Sequence, residues 1–110
     1  MFKPGYHNTL LQLGIIKVAE TSTVLKLVDG GKVRDDYSND FALGGHYYRY
    51  KFIPENEIWV ERGLGTGKDG IAVIIHEGVE RALMKNKGMG YEAGHAEANK
   101  VEKKFRKLVG

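Results

Sequence analysis

Residues 71–84, IAVIIHEGVERALM, hold the densest apolar run of the chain: residues 71–75 are all apolar and lead directly into His76 and Glu77, with Glu80 one helical turn after His76. A segment apolar nearly all round predicts a helix buried in the middle of a small domain. Its start is expected after Thr66, a cap candidate with Asp69 as a weak capping-box partner. Its end is expected about Asn86, where Lys85, Lys87 and Gly88 suit a helix C-terminus. Beyond Met89-Gly90, Tyr91, His95, Ala98, Glu102, Phe105 and Val109 recur at spacings of three and four. That period predicts a second helix over Tyr91–Leu108 with those residues facing inward. The short connection makes the two helices antiparallel neighbours.

The earlier part of the chain is patterned differently. Asn8 or Thr9 is placed to cap a short helix through Leu10, Leu11 and Leu13, ended by Gly14; residues 15–18 fit a strand or a further helical turn. Val24–Val28 reads as a strand, and Asp29-Gly30 as a hairpin turn into residues 32–35. Gly44-Gly45-His46 opens an aromatic-rich strand over residues 47–53, residues 54–57 turn, and residues 58–61 return. Alternation would put His46, Tyr48 and Tyr50 on one strand face. The predicted architecture is α+β: a small antiparallel sheet or hairpin followed by two packed antiparallel helices, in one domain over residues 1–110.

Composition narrows the function classes. The absence of cysteine excludes disulfides, thiolate-held zinc and a cysteine nucleophile. No apolar run approaches the roughly 18 residues of a membrane span, and the N-terminal MFKPGYHNTL lacks an apolar signal core, so a cytoplasmic protein without membrane contact is expected. The net charge of +3 is mild and concentrated in Lys100, Lys103, Lys104, Arg106 and Lys107, opposed only by Glu102. Such a run is usually a solvated helix face and less often a nucleic-acid patch. Residues 63–70, GLGTGKDG, invite a phosphate-loop assignment that fails: Arg62 stands where the first Gly is needed and Asp69 where Ser or Thr is needed. The dinucleotide pattern fails too, with Lys68 in place of its third Gly.

The chemistry therefore centres on the buried helix. His, Glu, Glu and Arg81 on such a helix must pair or hold an ion, since burying them unpaired is costly. His76 and Glu80, four apart, project from one face, the spacing by which His-Glu-x-x-His delivers two zinc ligands. His95, inward on the neighbouring helix, is the third candidate ligand. Glu77 lies beside His76 as a candidate general base toward a water on the metal, whose pKa would fall to about 7. His46 is a candidate fourth ligand or a hydrogen-bond donor in the transition state. Each residue also has a plainer role: a satisfied core histidine, a surface Glu80–Arg81 pair, or a His95–Glu102 bond.

HEGVERALM followed by GMGYEAGHAEANKVEKKFR resembles the zincin-like metalloprotein superfamily, in which a His-Glu helix lies against a second ligand-bearing helix. The chain is also similar, over about residues 36–106, to small uncharacterised prokaryotic and phage proteins. Those carry a Gly-Gly-His segment, an IPxxEIW strand, a His-Glu-x-x-Glu helix and an Ala-His motif. Here these are Gly44-Gly45-His46, residues 53–59, residues 76–80, and Gly94-His95 with Gly in place of Ala. The resemblance implies a site of His46, His76, Glu77, Glu80 and His95 but supplies no reaction, and Glu80 in place of a second His departs from the protease motif. The leading expectation is a zinc-dependent hydrolase, with a peptide as one candidate substrate. A non-catalytic metal-stabilised domain is the first alternative. A nucleic-acid-binding module, using the basic last helix and the Tyr47, Tyr48 and Tyr50 strand, is the second.

Overall fold

The computed structural model describes residues 23–65 and 67–110. The expected N-terminal helix, the segment 15–18 and the capping residue Thr66 lie outside the described residues.

The sheet is built on β3 (Glu57–Glu61), where the period of two is cleanest: Ile58 and Val60 are buried while Glu57, Trp59 and Glu61 are half-buried. β1 (Val24–Val28) pairs with β3 in parallel, and β2 (Gly44–His46) pairs with its other edge antiparallel, giving the order β1-β3-β2. The α+β plan of a small sheet followed by two packed helices is as expected; the sheet itself is mixed, where an antiparallel sheet or hairpin was expected. Parallel neighbours need a long crossover, and the chain between β1 and β3 supplies it.

Two local predictions are corrected. Asp29-Gly30 does not turn a hairpin: it starts a short helix, α1 (Gly30–Asp36), where residues 32–35 were expected as a strand. Asp29 is its N-cap and accepts from the Lys32 N–H, and the Gly30 N–H donates to Glu61 Oε2 at 2.7 Å on the neighbouring strand. Nor do residues 47–53 form a strand. Strand β2 stops at His46, whose carbonyl accepts the N–H groups of Arg49 and Tyr50, and Ile53 N–H folds back onto the Tyr50 carbonyl. The aromatic residues that suggested a pleated face are packed into a cluster instead. Tyr50 lies against Phe41, and Phe52 is stacked on Tyr37 and tilted on Trp59. The shared face of His46, Tyr48 and Tyr50 is absent with the strand, and so is the strand platform for stacking bases.

β3 separates two cores. Ile58 and Val60 face the larger one, with residues 71–75, Val79, Ala98 and Phe105. Trp59, on the opposite side, packs with Val33, Phe41 and Ile53.

Helices α2 (Lys68–Asn86) and α3 (Tyr91–Leu108) run where the periodicity placed them. Gly67 occupies the N-cap position of α2 without a side-chain cap bond, and Asp69 is engaged instead by Arg106 of α3 at 2.7 Å. α2 is buried on nearly every side between sheet and α3. The inward face of α3 is anchored by Ala98 and Phe105, with Tyr91 at its rim. Among the described residues no helix is long and apolar enough to cross a membrane.

Candidate metal centre

The polar groups of α2 sit on a helix that the sequence gives no solvent face, so each must find its partner in protein. Arg81, 3% exposed, does so through a 2.7 Å hydrogen bond from Nη2 to the Glu55 carbonyl, which ties α2 to the β2–β3 connection. Glu80, 2% exposed, is the hub of the remainder. The surface Glu80–Arg81 pair is therefore not formed.

Three elements bring histidines to Glu80. His76, one turn earlier on α2, places Nε2 3.1 Å from Glu80 Oε2; His95, from α3, places Nδ1 2.9 Å from the same oxygen; and the two ring nitrogens are 3.1 Å apart. These three atoms form a near-equilateral triangle. Ligands of one tetrahedral ion with bonds of about 2.0–2.1 Å stand roughly 3.3 Å apart, so the observed separations fit within a few tenths of an ångström. Gly94 lets α3 come this close, because a side chain there would stand 3.3 Å from Met84 and 3.6 Å from the Glu80 carbonyl. The buried His/Glu groups can hold a metal ion.

His46 reaches Glu80 from the sheet, with Nε2 2.8 Å from Oε1. Its Nδ1 accepts the Tyr48 N–H at 3.2 Å. That acceptance assigns the ring proton to Nε2, so His46 donates to Glu80. Behind His76, Nδ1 lies 3.1 Å from Glu102 Oε1, close enough for ionic attraction but without hydrogen-bond alignment. Glu102 in turn accepts from Arg106 Nε at 3.0 Å. Glu102 therefore serves His76 rather than His95.

Glu77 differs from the rest. It is buried, one of its oxygens lies within 4.8 Å of ligand atoms of His46 and Glu80, and it makes no hydrogen bond or ion pair among the described residues. Room for it comes from Gly44, where a Cβ would stand 3.0 Å from Glu77 Cγ and Val73 Cγ1.

The two carboxylates are driven apart electrostatically. For Glu80, burial opposes ionisation, but the bonds from His46, His76 and His95 prevail and hold its pKa down to about 2. For Glu77, burial combined with repulsion from Glu80 pushes the pKa up to about 8. His76 loses some basicity to burial, yet Glu80, Glu77 and Glu102 together leave its pKa above the ordinary value. One permanently charged acid and one proton-exchanging acid, side by side, are what acid–base chemistry requires.

A pocket of ≈ 550 Å³ opens onto this cluster. His76, Glu77, Glu80 and His95 line it; His46 does not, being wholly buried behind Glu80. The His95 side chain is 41% exposed, so the triangle faces solvent on that side. All five residues singled out in the sequence thus come together, four on the wall and one behind it. Arg49, Tyr50 and Tyr91 also line the pocket; Arg49 and Tyr50 were not expected there because residues 47–53 read as a strand, and Tyr91 was expected only as part of the inward face of α3. Glu102 carried a legible signal, its place on the inward face of α3.

No family model, curated protein or solved structure matches the chain.

Proposed function

We propose that the chain is a zinc-dependent hydrolase, with a peptide as the first substrate class to test. The observation that carries this reading is the pairing of a solvent-facing His76–Glu80–His95 triangle with an unpaired carboxylate, Glu77, on the same pocket wall. Two imidazoles and one carboxylate suit zinc, and catalytic zinc sites use three protein ligands while structural sites are closed by four. When bound, the ion supplies Lewis acidity and makes water acidic enough to ionise near neutral pH.

The remaining work falls to the chain. His76 Nε2, His95 Nδ1 and Glu80 Oε2 are the ligand atoms. His46 holds Glu80 by its Nε2–H and stays outside the ligand set, since its Nδ1 lone pair is already taken by Tyr48 N–H. Glu102 favours the His76 tautomer with its proton on Nδ1, which leaves Nε2 free to ligate. Glu77 takes a proton from the attacking water and returns it to the leaving group.

The test is elemental analysis of untagged protein, coupled to hydrolysis of a peptide library by wild type and Glu77→Gln. Stoichiometric zinc, with turnover lost in the variant, supports the assignment. Zinc without turnover in either protein would favour the metal-stabilised domain, and a protein that takes up no zinc would remove both readings.

A further inference from the structure

Most charged side chains on the metal side of the pocket are engaged by a neighbour. Glu80 and the histidines hold one another, and Arg106 is committed to Glu102 and Asp69. Arg49 is not: it lines the same wall, forms no ion pair among the described residues, and its Nε is buried without a hydrogen-bond partner. Two rings hold it there. Its guanidinium carbon lies 4.7 Å from the Tyr50 ring centre and 4.6 Å from that of Tyr91. Tyr50 is fixed from behind, its hydroxyl donating to the Asp40 carbonyl at 2.9 Å and its ring filling the space a Gly45 side chain would need. The Tyr91 ring is 5.2 Å from the His95 ring, so Arg49 stands two contacts from the triangle. Stacking on aromatic faces leaves the N–H donors at the guanidinium edge available. A preorganised cation with free donors, in a pocket, matches the flat fork geometry of an oxyanion.

We propose that Arg49 is the receptor for an oxyanion on the ligand, a carboxylate or phosphate group, which fixes the ligand with its reacting bond toward Glu77 and His95. The placement of the reacting bond rests on the hydrolase reading; the anion site does not. Tyr50 and Tyr91 act as positioning residues for the guanidinium.

The probes are N-acetylglycine, its uncharged amide and inorganic phosphate, titrated by calorimetry into zinc-loaded and chelator-treated protein. Wild type should bind at least one of the two anions, and the amide at least about tenfold more weakly than N-acetylglycine if the carboxylate is preferred. Arg49→Gln should weaken anion binding about tenfold or more at unchanged zinc content, and Arg49→Lys should recover only part, since a point charge lacks the paired donors. The stronger of the two anions identifies the ligand's group. An independent readout needs no variant: the Arg49 Nε–H resonance of wild type should shift on adding the anion. An unshifted resonance, equal anion affinity in Arg49→Gln, or no anion binding would overturn the proposal. Arg49-dependent anion binding in a protein that takes up no zinc would sustain it while removing the hydrolase.

Discussion

His46 and Glu80 meet in a 2.8 Å hydrogen bond across 34 residues of sequence, with both side chains shut away from solvent. The bond joins the edge of the sheet to the middle of α2 and holds the one carboxylate on which all three histidines converge. Removing the ring leaves Glu80 Oε1 and the Tyr48 N–H without their partner. His46→Ala should therefore lower zinc affinity by about 10–100-fold, the usual effect of losing a group that orients a ligand. It should also cost about 1–3 kcal/mol of stability for each buried group left unpaired. Competition with a chromophoric chelator and urea unfolding measure the two effects. Unaltered zinc affinity would show that His46 does not orient Glu80.

Glu77→Gln replaces a buried, unpaired carboxylate with a neutral group of the same shape. Zinc stoichiometry should stay at the wild-type value while hydrolysis is lost. The metal-free variant should be more stable than wild type at pH 8, by about 1–3 kcal/mol, because an uncompensated buried charge is removed. Parallel loss of zinc would make Glu77 a ligand and sink its assignment as base.

The metal-free protein should lose stability as pH rises from about 4.5 to 8. Glu77 ionises at its ordinary value, 4.5, in the unfolded chain but at about 8 in the folded one. The folded state therefore binds the extra proton across that window, with a slope of up to about 1.4 kcal/mol per pH unit. His76, also raised, acts in the same direction: its contribution is present below its ordinary value of 6.5 and is lost as pH rises through the higher folded value. Glu80, lowered to about 2, adds stability above 4.5 that disappears as pH falls toward 2. Maximum stability of the metal-free form should thus lie near pH 5. Saturating zinc should reverse the slope between pH 5 and 8, since ligation needs deprotonated side chains. Urea midpoints recorded against pH, with chelator and with zinc, test both slopes.

Four glycines separate tolerance from need. At Gly45 an added Cβ would stand 2.7 Å from the Tyr50 ring, and at Gly70 it would press on the backbone carbonyl of Gly65. Gly45→Ala and Gly70→Ala should each cost about 1–3 kcal/mol, with Gly70 the worse because backbone cannot rotate away. At Gly94 the nearest atom is Met84 Cγ, close to the backbone, at 3.3 Å, whereas nothing lies within 4 Å of Gly78. Gly78→Ala should raise stability by about 0.5–1 kcal/mol through helix propensity, whereas Gly94→Ala should gain nothing, because Met84 must give way where the two helices approach. Thermal melts rank the four, and a destabilised Gly78→Ala would contradict the packing described.

The two long helices were legible because their signals are local: the apolar run of α2, the three-and-four spacing of α3, and the break at residues 87–90. The site was legible for the same reason, since His76, Glu80 and His95 take their directions from helical period alone. What failed depended on distant partners. Asp29-Gly30 fits a hairpin turn and a helix start equally well, and part of what favours the helix is Glu61, 31 residues away, which accepts the Gly30 N–H. The aromatic residues at 47–53 have strand propensity, but Phe41, Tyr37 and Trp59 draw their rings into a cluster that a straight strand could not reach. Arg49 went unnoticed because its meaning lies in Tyr91, on another helix. The parallel pairing of β1 with β3 has no signature in either strand.

The triangle of candidate ligand atoms belongs wholly to one helical hairpin, α2 and α3, at sequence separations of 4, 15 and 19 residues, whereas β1 meets β3 across 33, as Val24 opposite Glu57 shows. Contacts of short sequence separation close sooner than distant ones. Assembly should therefore run from the C-terminal hairpin outward, with an ion able to clasp the two helices before the sheet docks and His46 arriving to lock Glu80 afterwards. Zinc present during refolding would then speed the search for the native state as well as deepen it, which joins the order of folding to the supply of metal.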